Sequence, residues 1–136
     1  MKEFILAKDE LNELFSYLGI NEVILLNGDL ASGKTTLVQE YAKFLGFKDD
    51  INSPTFSIMQ SYNNNEFILY HYDIYQGGFE NLIKNGLFEN FLEPGLHIVE
   101  WGDEKLEKAL LKFGIKALKI DISIIDDKKR KYIVYE

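Results

Sequence analysis

Gly28-Asp29-Leu30-Ala31-Ser32-Gly33-Lys34-Thr35 has the spacing G-x-x-x-x-G-K-[ST], a pattern built to hold phosphate. Gly28 and Gly33 let the backbone bend and come close to an anion, so that successive N–H groups point at phosphate oxygens. The helix that follows begins with unpaired N–H groups and a partial positive charge. Lys34 adds a full charge toward the terminal phosphates, and the Thr35 hydroxyl is placed to hold Mg²⁺. Such a loop binds a nucleotide; hydrolysis or transfer also needs a metal and a positioned acid. Leu96-His97-Ile98-Val99-Glu100 supplies one, an apolar run ending in a carboxylate. On a core strand beside the phosphate loop, Glu100 would coordinate the metal directly or through water. His71 and Asp73 lie two apart and so share one face of a strand. Asp73 could complete the Mg²⁺ shell or orient the attacking water, or it is an ordinary strand-end carboxylate. His71 is a core or supporting histidine. Thr55, in a loop after the phosphate-binding helix, is a candidate γ-phosphate sensor. Trp101, the single tryptophan, directly follows Glu100 and packs in the core or against a partner. Tyr70, Tyr72 and Tyr75 are expected to be exposed strand-packing aromatics rather than a base-stacking platform.

The elements that must position these groups are legible from periodicity. Val23 to Leu26 is an apolar strand entering the loop, part of a core strand over residues 21–27 covered on both faces, as in a parallel sheet. Leu37, Val38, Tyr41, Ala42 and Leu45 mark one side of a helix from about Gly33 to Leu45 that stops at Gly46. Before it, Leu11, Leu14, Phe15 and Leu18 predict an amphipathic helix ending at Gly19. After it, residues 56–62 and 66–72 predict a hairpin turned by Asn63-Asn64-Asn65. One or two short helices around Gly86 follow over 79–92, then the strand 96–99 and a helix over 103–112. A strand over 115–125, alternating Ile120, Ile122 and Ile124 against Lys119, Asp121 and Ser123, turns at Asp126-Asp127-Lys128 and returns over 130–135. The pattern is a single α/β three-layer domain over residues 1–136, with a mixed sheet that has a parallel centre and antiparallel hairpins.

Composition narrows the function classes. The chain of 136 residues is 46% apolar and 14% aromatic, enough for a proper core and unlike a disordered chain. It has no cysteine and two histidines, so disulfides and thiol catalysis are excluded and a zinc site is not expected. Its net charge of −7 is opposite in sign to that of most free-standing nucleic-acid binders. No signal-peptide or membrane-spanning stretch follows Met1-Lys2-Glu3-Phe4, and a cytoplasmic location is expected.

Four stretches in order carry a resemblance: Gly28 to Thr36, Ser53-Pro54-Thr55-Phe56, His71-Tyr72-Asp73-Ile74-Tyr75 and Val99-Glu100-Trp101. Their order and spacing resemble the TsaE (YjeE) family, small bacterial P-loop ATPases involved in making threonylcarbamoyladenosine on tRNA. The resemblance covers almost the whole chain. It implies ATP or ADP as ligand with Mg²⁺, held by Ala31, Ser32, Gly33, Lys34, Thr35 and Thr36 around the phosphates and by Thr35 and Glu100 on the metal. It implies catalytic roles for Lys34, Asp73 and Glu100, and an adenine pocket near Lys8 and Lys128. It also implies TsaD and TsaB proteins as partners, with tRNA met only through that complex and no membrane. Three positions depart from the family pattern. Ala31 replaces a usual Gly and limits positive φ; Gln76 replaces a frequent Arg; Gly102 replaces a frequent Pro and is expected to loosen its loop.

Three functions fit these residues. The first is a slow accessory ATPase that resets the TsaD–TsaB machinery between turnovers, with Arg130, the single arginine, leaving the chain short of an arginine finger. The second is a small-molecule kinase, which needs an acceptor pocket and a lid for which the chain has little room. The third is a nucleotide-gated binding module that does not hydrolyse. No Asn-Lys-x-Asp guanine-reading motif is present, which favours ATP.

Overall fold

Alternation along Val23–Asn27 decides the architecture. Ile24 and Leu26 project to one side and Val23 and Leu25 to the other, and all four are buried. A strand apolar on both faces must be covered on both. The computed structural model, which describes every residue except Asn21, Ser53, Thr55, Phe56 and Ser57, places this strand in the middle of a sheet.

Among the described residues the strands are β1 (Lys2–Ala7), β2 (Val23–Asn27), β3 (Met59–Asn63), β4 (Ile68–Asp73), β5 (Leu96–Glu100), β6 (Leu118–Ile124) and β7 (Lys129–Tyr135). They form one sheet in the order β1-β7-β6-β2-β5-β4-β3. The centre, β6-β2-β5-β4, is parallel, and β1, β7 and β3 are attached antiparallel. The α-helices among the described residues are α1 (Asn12–Phe15), α2 (Lys34–Phe44), α3 (Gly78–Lys84) and α4 (Glu104–Lys112), with 3-10 helices over Lys8–Glu10 and Phe88–Leu92. On one face Leu14 and Phe15 of α1 and Leu37, Val38 and Tyr41 of α2 share a core with Ile24, Leu26, Ile98 and Ile120. On the other, Leu82 of α3 and Leu106 and Leu110 of α4 pack with Val23, Leu25, Tyr72 and Val99. The C-terminal ends of β2, β4, β5 and β6 therefore lie at one edge of the sheet, where ligands bind in open α/β folds.

The structure departs from sequence expectation in a few places, each with a local cause. Periodicity assigns no element to residues 2–7. They become β1 only because Lys2 to Ala7 pair with Val134 back to Lys129. Among these edge-strand residues only Leu6 is buried, so no alternation announces the strand. The first helix is shorter than its apolar repeat: after Phe15, Tyr17 N–H bonds the Leu14 carbonyl and Leu18 N–H that of Phe15, tightening the chain into 3-10 turns. The strand expected from residue 115 starts at Leu118, because Ile115 N–H bonds back to the Leu110 carbonyl and closes the end of α4. Ile124, expected on the core face of β6, is exposed. β3 begins at Met59, and the expected strand start at Phe56 lies outside the described residues.

Candidate active site

The loop expected to bind phosphate leaves β2 at Asn27 and enters α2 at Lys34. Gly28 has φ +155°, and a Cβ there would sit 2.6 Å from the Ile122 carbonyl oxygen and 2.7 Å from Ser32 Oγ. Only a residue without a side chain lets the loop pass that close to β6. Gly33, at φ +109°, makes the last bend before the helix. Ala31 lies at φ 62°, so the loop adopts the left-handed conformation even with a Cβ, at a cost on the order of 1 kcal/mol.

Lys34 is buried. Its Nζ donates to the carbonyls of Gly28 (2.8 Å) and Asp29 (3.0 Å), lies 3.4 Å from Ser32 Oγ, and sits 3.8 Å from the centre of the Trp101 ring. Burial pulls its pKa down, opposed by the charges of Glu100, Asp73 and Asp29. Trp101 reaches this position by a left-handed backbone, φ 65°, uncommon for a bulky residue and concentrated at functional sites. Gly102 corrects an expectation. It does not loosen the loop; it is buried, and a Cβ would lie 2.7 Å from Leu25 Cβ, so the chain is pressed onto β2 there.

Strand register brings the acids together. Asp73 of β4 stands opposite Glu100 of β5. Thr35 Oγ1 lies 2.9 Å from both oxygens of the buried Glu100 carboxylate. Asp73 is half-buried and its Oδ1 accepts from Tyr75 N–H at 3.0 Å. Burial raises its pKa; the Tyr75 bond opposes this and the Glu100 charge adds to it. Lys34, Thr35, Thr36, Asp73, Glu100 and Trp101 line one pocket of about 350 Å³, together with Ala31, Gly33, Leu30 and Tyr75.

The donor set fits a small hard cation. A hydroxyl and a carboxylate share one point at the pocket floor, both oxygen ligands, as expected where Mg²⁺ takes few protein ligands and completes its shell with water and phosphate. No group of three His, Cys, Asp or Glu able to hold a metal by itself exists among the described residues.

Several contacts lie outside what spacing announces. His71 Nε2 is 2.6 Å from Glu100 Oε2, and the ring is buried. The i, i+2 relation placed His71 beside Asp73, but only the β4–β5 register places it against Glu100. Arg130 Nε donates to the Ser32 carbonyl at 3.0 Å, bracing the phosphate loop from β7. Tyr75 is exposed and packs 4.7 Å from Trp101, ring to ring. Tyr72, expected to be exposed, is instead fully buried on the opposite face of β4. Lys8 and Lys128 lie one residue beyond the pair Ala7↔Lys129, at the loop end of the sheet, and neither lines the pocket. Thr55, the candidate phosphate sensor, lies outside the described residues, as do its neighbours Ser53 and Phe56.

The family sequence model described as "Threonylcarbamoyl adenosine biosynthesis protein TsaE" matches residues 6–132. The chain belongs to the TsaE family. A protein of Rickettsia felis named tRNA threonylcarbamoyladenosine biosynthesis protein TsaE is 36% identical over 111 residues, 81% of this chain and 63% of that protein. The match to the Rickettsia conorii protein of the same name spans 61% of its length. The chain thus spans about three fifths of these relatives. The Aquifex aeolicus TsaE is 30% identical over 99% of this chain and 96% of its own length. The crystal structure of Bacillus subtilis YdiB superposes with a TM-score of 0.65 at 26% identity, covering 96% of this chain and 83% of that one.

Proposed function

We propose that the chain binds ATP with Mg²⁺, hydrolyses it slowly, and serves as an accessory subunit in forming threonylcarbamoyladenosine on tRNA. The observation that carries this reading is Thr35 Oγ1 at 2.9 Å from both Glu100 oxygens, directly after a phosphate-binding loop. The loop N–H groups and Lys34 bind and orient the phosphates. In this reading Asp73 orients the attacking water, which its place beside Glu100 at the pocket wall and its raised pKa support, since a raised pKa makes it a better base than an exposed carboxylate. A metal held by Thr35 and Glu100 would supply charge stabilisation at the reacting phosphate. The adenine end, by family resemblance, falls toward Lys8 and Lys128.

Slow hydrolysis has a structural rationale. Arg130, the single arginine, spends Nε on the Ser32 carbonyl and Nη1 on those of Asp126 and Lys129. It does not line the pocket, so extra positive charge at the transition state must come from elsewhere. TsaD and TsaB proteins are the proposed partners. In this reading TsaD transfers the threonylcarbamoyl group, and nucleotide turnover resets the complex between rounds. The net charge of −7 makes the chain a poor tRNA binder by itself, so tRNA is met through the complex. No helix among the described residues is long and apolar enough to cross a membrane. A cytoplasmic site of action and a single working domain over residues 1–136 complete the proposal.

The test is phosphate release with Mg²⁺-ATP, by the chain alone and with TsaD and TsaB proteins. Release stimulated by the partners and lost in Lys34→Ala and Glu100→Ala is expected. Tight ATP binding with no release under any condition would overturn hydrolysis and favour a nucleotide-gated binding module.

A further inference from the structure

We propose that His71 is a positioning residue for Glu100, holding its carboxylate in the one orientation that meets Thr35 and the metal. This rests on Glu100 being the metal-holding acid. The geometry is specific. Glu100 ends β5, and its carboxylate is buried. His71 lies on β4 in register with Ile98, so its side chain is two residues behind Glu100 on the same face of the sheet. Its Nε2 reaches Oε2 at 2.6 Å, while Thr35 Oγ1 approaches both oxygens at 2.9 Å. The carboxylate is thus gripped from the strand behind and from the helix in front. A buried ionised carboxylate without such partners would be strongly destabilised, and it would turn toward whatever donor it could find.

The other ring nitrogen sharpens the assignment. His71 Nδ1 is buried and has no hydrogen-bond partner among the described residues. A histidine kept to satisfy the core would have both nitrogens bonded; among the described residues this one is anchored at a single point, and that point is the acid. With the proton on Nε2, the ring donates to Glu100 and leaves Nδ1 as a bare lone pair. That costs less than burying an unpaired N–H. Outer-shell donors of this kind orient a metal's ligands, and their loss costs roughly 10- to 100-fold in metal affinity. His71 touches neither phosphate nor metal in this scheme, so it acts only through Glu100.

Two variants that differ in reach test this. In His71→Gln the amide nitrogen overlays Nε2 and still reaches Oε2. In His71→Asn it overlays Nδ1 and falls short. Affinity for a non-hydrolysable ATP analogue is measured by calorimetry across a Mg²⁺ titration and again in EDTA. The Mg²⁺ midpoint of His71→Asn should rise roughly 10- to 100-fold, with His71→Gln within a few-fold of the parent protein. Affinity in EDTA should be equal in all three, and in a Glu100→Ala background the His71 changes should no longer matter. Equal Mg²⁺ midpoints for His71→Asn and the parent would overturn the inference alone. No Mg²⁺-dependent tightening in the parent would instead overturn the role of Glu100, and the inference with it.

Discussion

The two histidines of the chain sit on adjacent strands, both buried, and are bonded in opposite ways. His97 faces the α3–α4 side. Its Nε2 donates to the Glu93 carbonyl at 2.8 Å, and its Nδ1 accepts from Tyr72 O–H at 2.7 Å. Tyr72 in turn accepts from Asn90 Nδ2 at 2.8 Å, and Tyr70 stacks on the imidazole at 4.5 Å. Every polar atom of that ring is satisfied, and burial pulls its pKa down, keeping it neutral. His71 faces the α2 side, has one nitrogen without a partner among the described residues, and puts the other on an acid. The difference teaches how to separate a buried polar group that holds the fold from one that serves a site. The first closes its hydrogen bonds among neighbours. The second leaves some open and converges on an acid that lines the pocket.

The widest gap between the two faces is expected in chemistry. Glu100→Gln keeps the shape of the α2-side cluster but removes the charge, and hydrolysis should fall by about 10²- to 10³-fold with the protein still folded. Phosphate release at saturating Mg²⁺-ATP measures it. Undiminished hydrolysis would break the claim that this cluster is the working one.

On the other face the effect should be on stability alone. His97→Phe keeps the aromatic stack and strands the Tyr72 hydroxyl and the Glu93 carbonyl, costing about 1–3 kcal/mol in urea unfolding. The Mg²⁺ midpoint for nucleotide should not move. The same pair of proteins reads a pH signature. The lowered pKa of His97 in the fold means that unfolding takes up a proton. Its contribution is therefore full above the ordinary histidine pKa of about 6.5 and is lost as pH falls through that value toward the lower folded one. The stability difference between the parent and His97→Phe should shrink between pH 7.5 and pH 5.5; a constant difference would refute the assignment.

The smallest effect sharpens the comparison at Asp73. Its pKa is raised mainly by burial, so the ionised form is a cost to the fold. That cost is absent below the unfolded pKa and is fully present once pH has risen through the folded one. Asp73→Asn should slow hydrolysis yet stabilise the fold at pH 7 slightly, by less than about 1 kcal/mol in urea unfolding given its partial exposure. A clear loss of stability would mean that Asp73 holds structure rather than serving the site.

Much of the fold was legible in the chain. The double-sided burial of β2, the span of α2 and the hairpin β6–β7 follow from apolar periodicity, which reports local geometry. The edge strand β1 was not legible, because its stability comes from β7, more than a hundred residues away. The spacing of Gly28 to Thr35 singles out the loop between β2 and α2 because one continuous stretch of backbone makes the turn, and the short apolar run ending in Glu100 singles out the acid that meets it. Those features reside in local chain geometry and residue chemistry, so order along the chain sufficed to determine them. Only the tertiary structure decided what surrounds them: the Trp101 ring over Lys34, Arg130 on the loop carbonyl, and His71 rather than solvent behind Glu100. These contacts join residues 29 to 98 positions apart, and strand order and register, not sequence spacing, bring them within bonding distance.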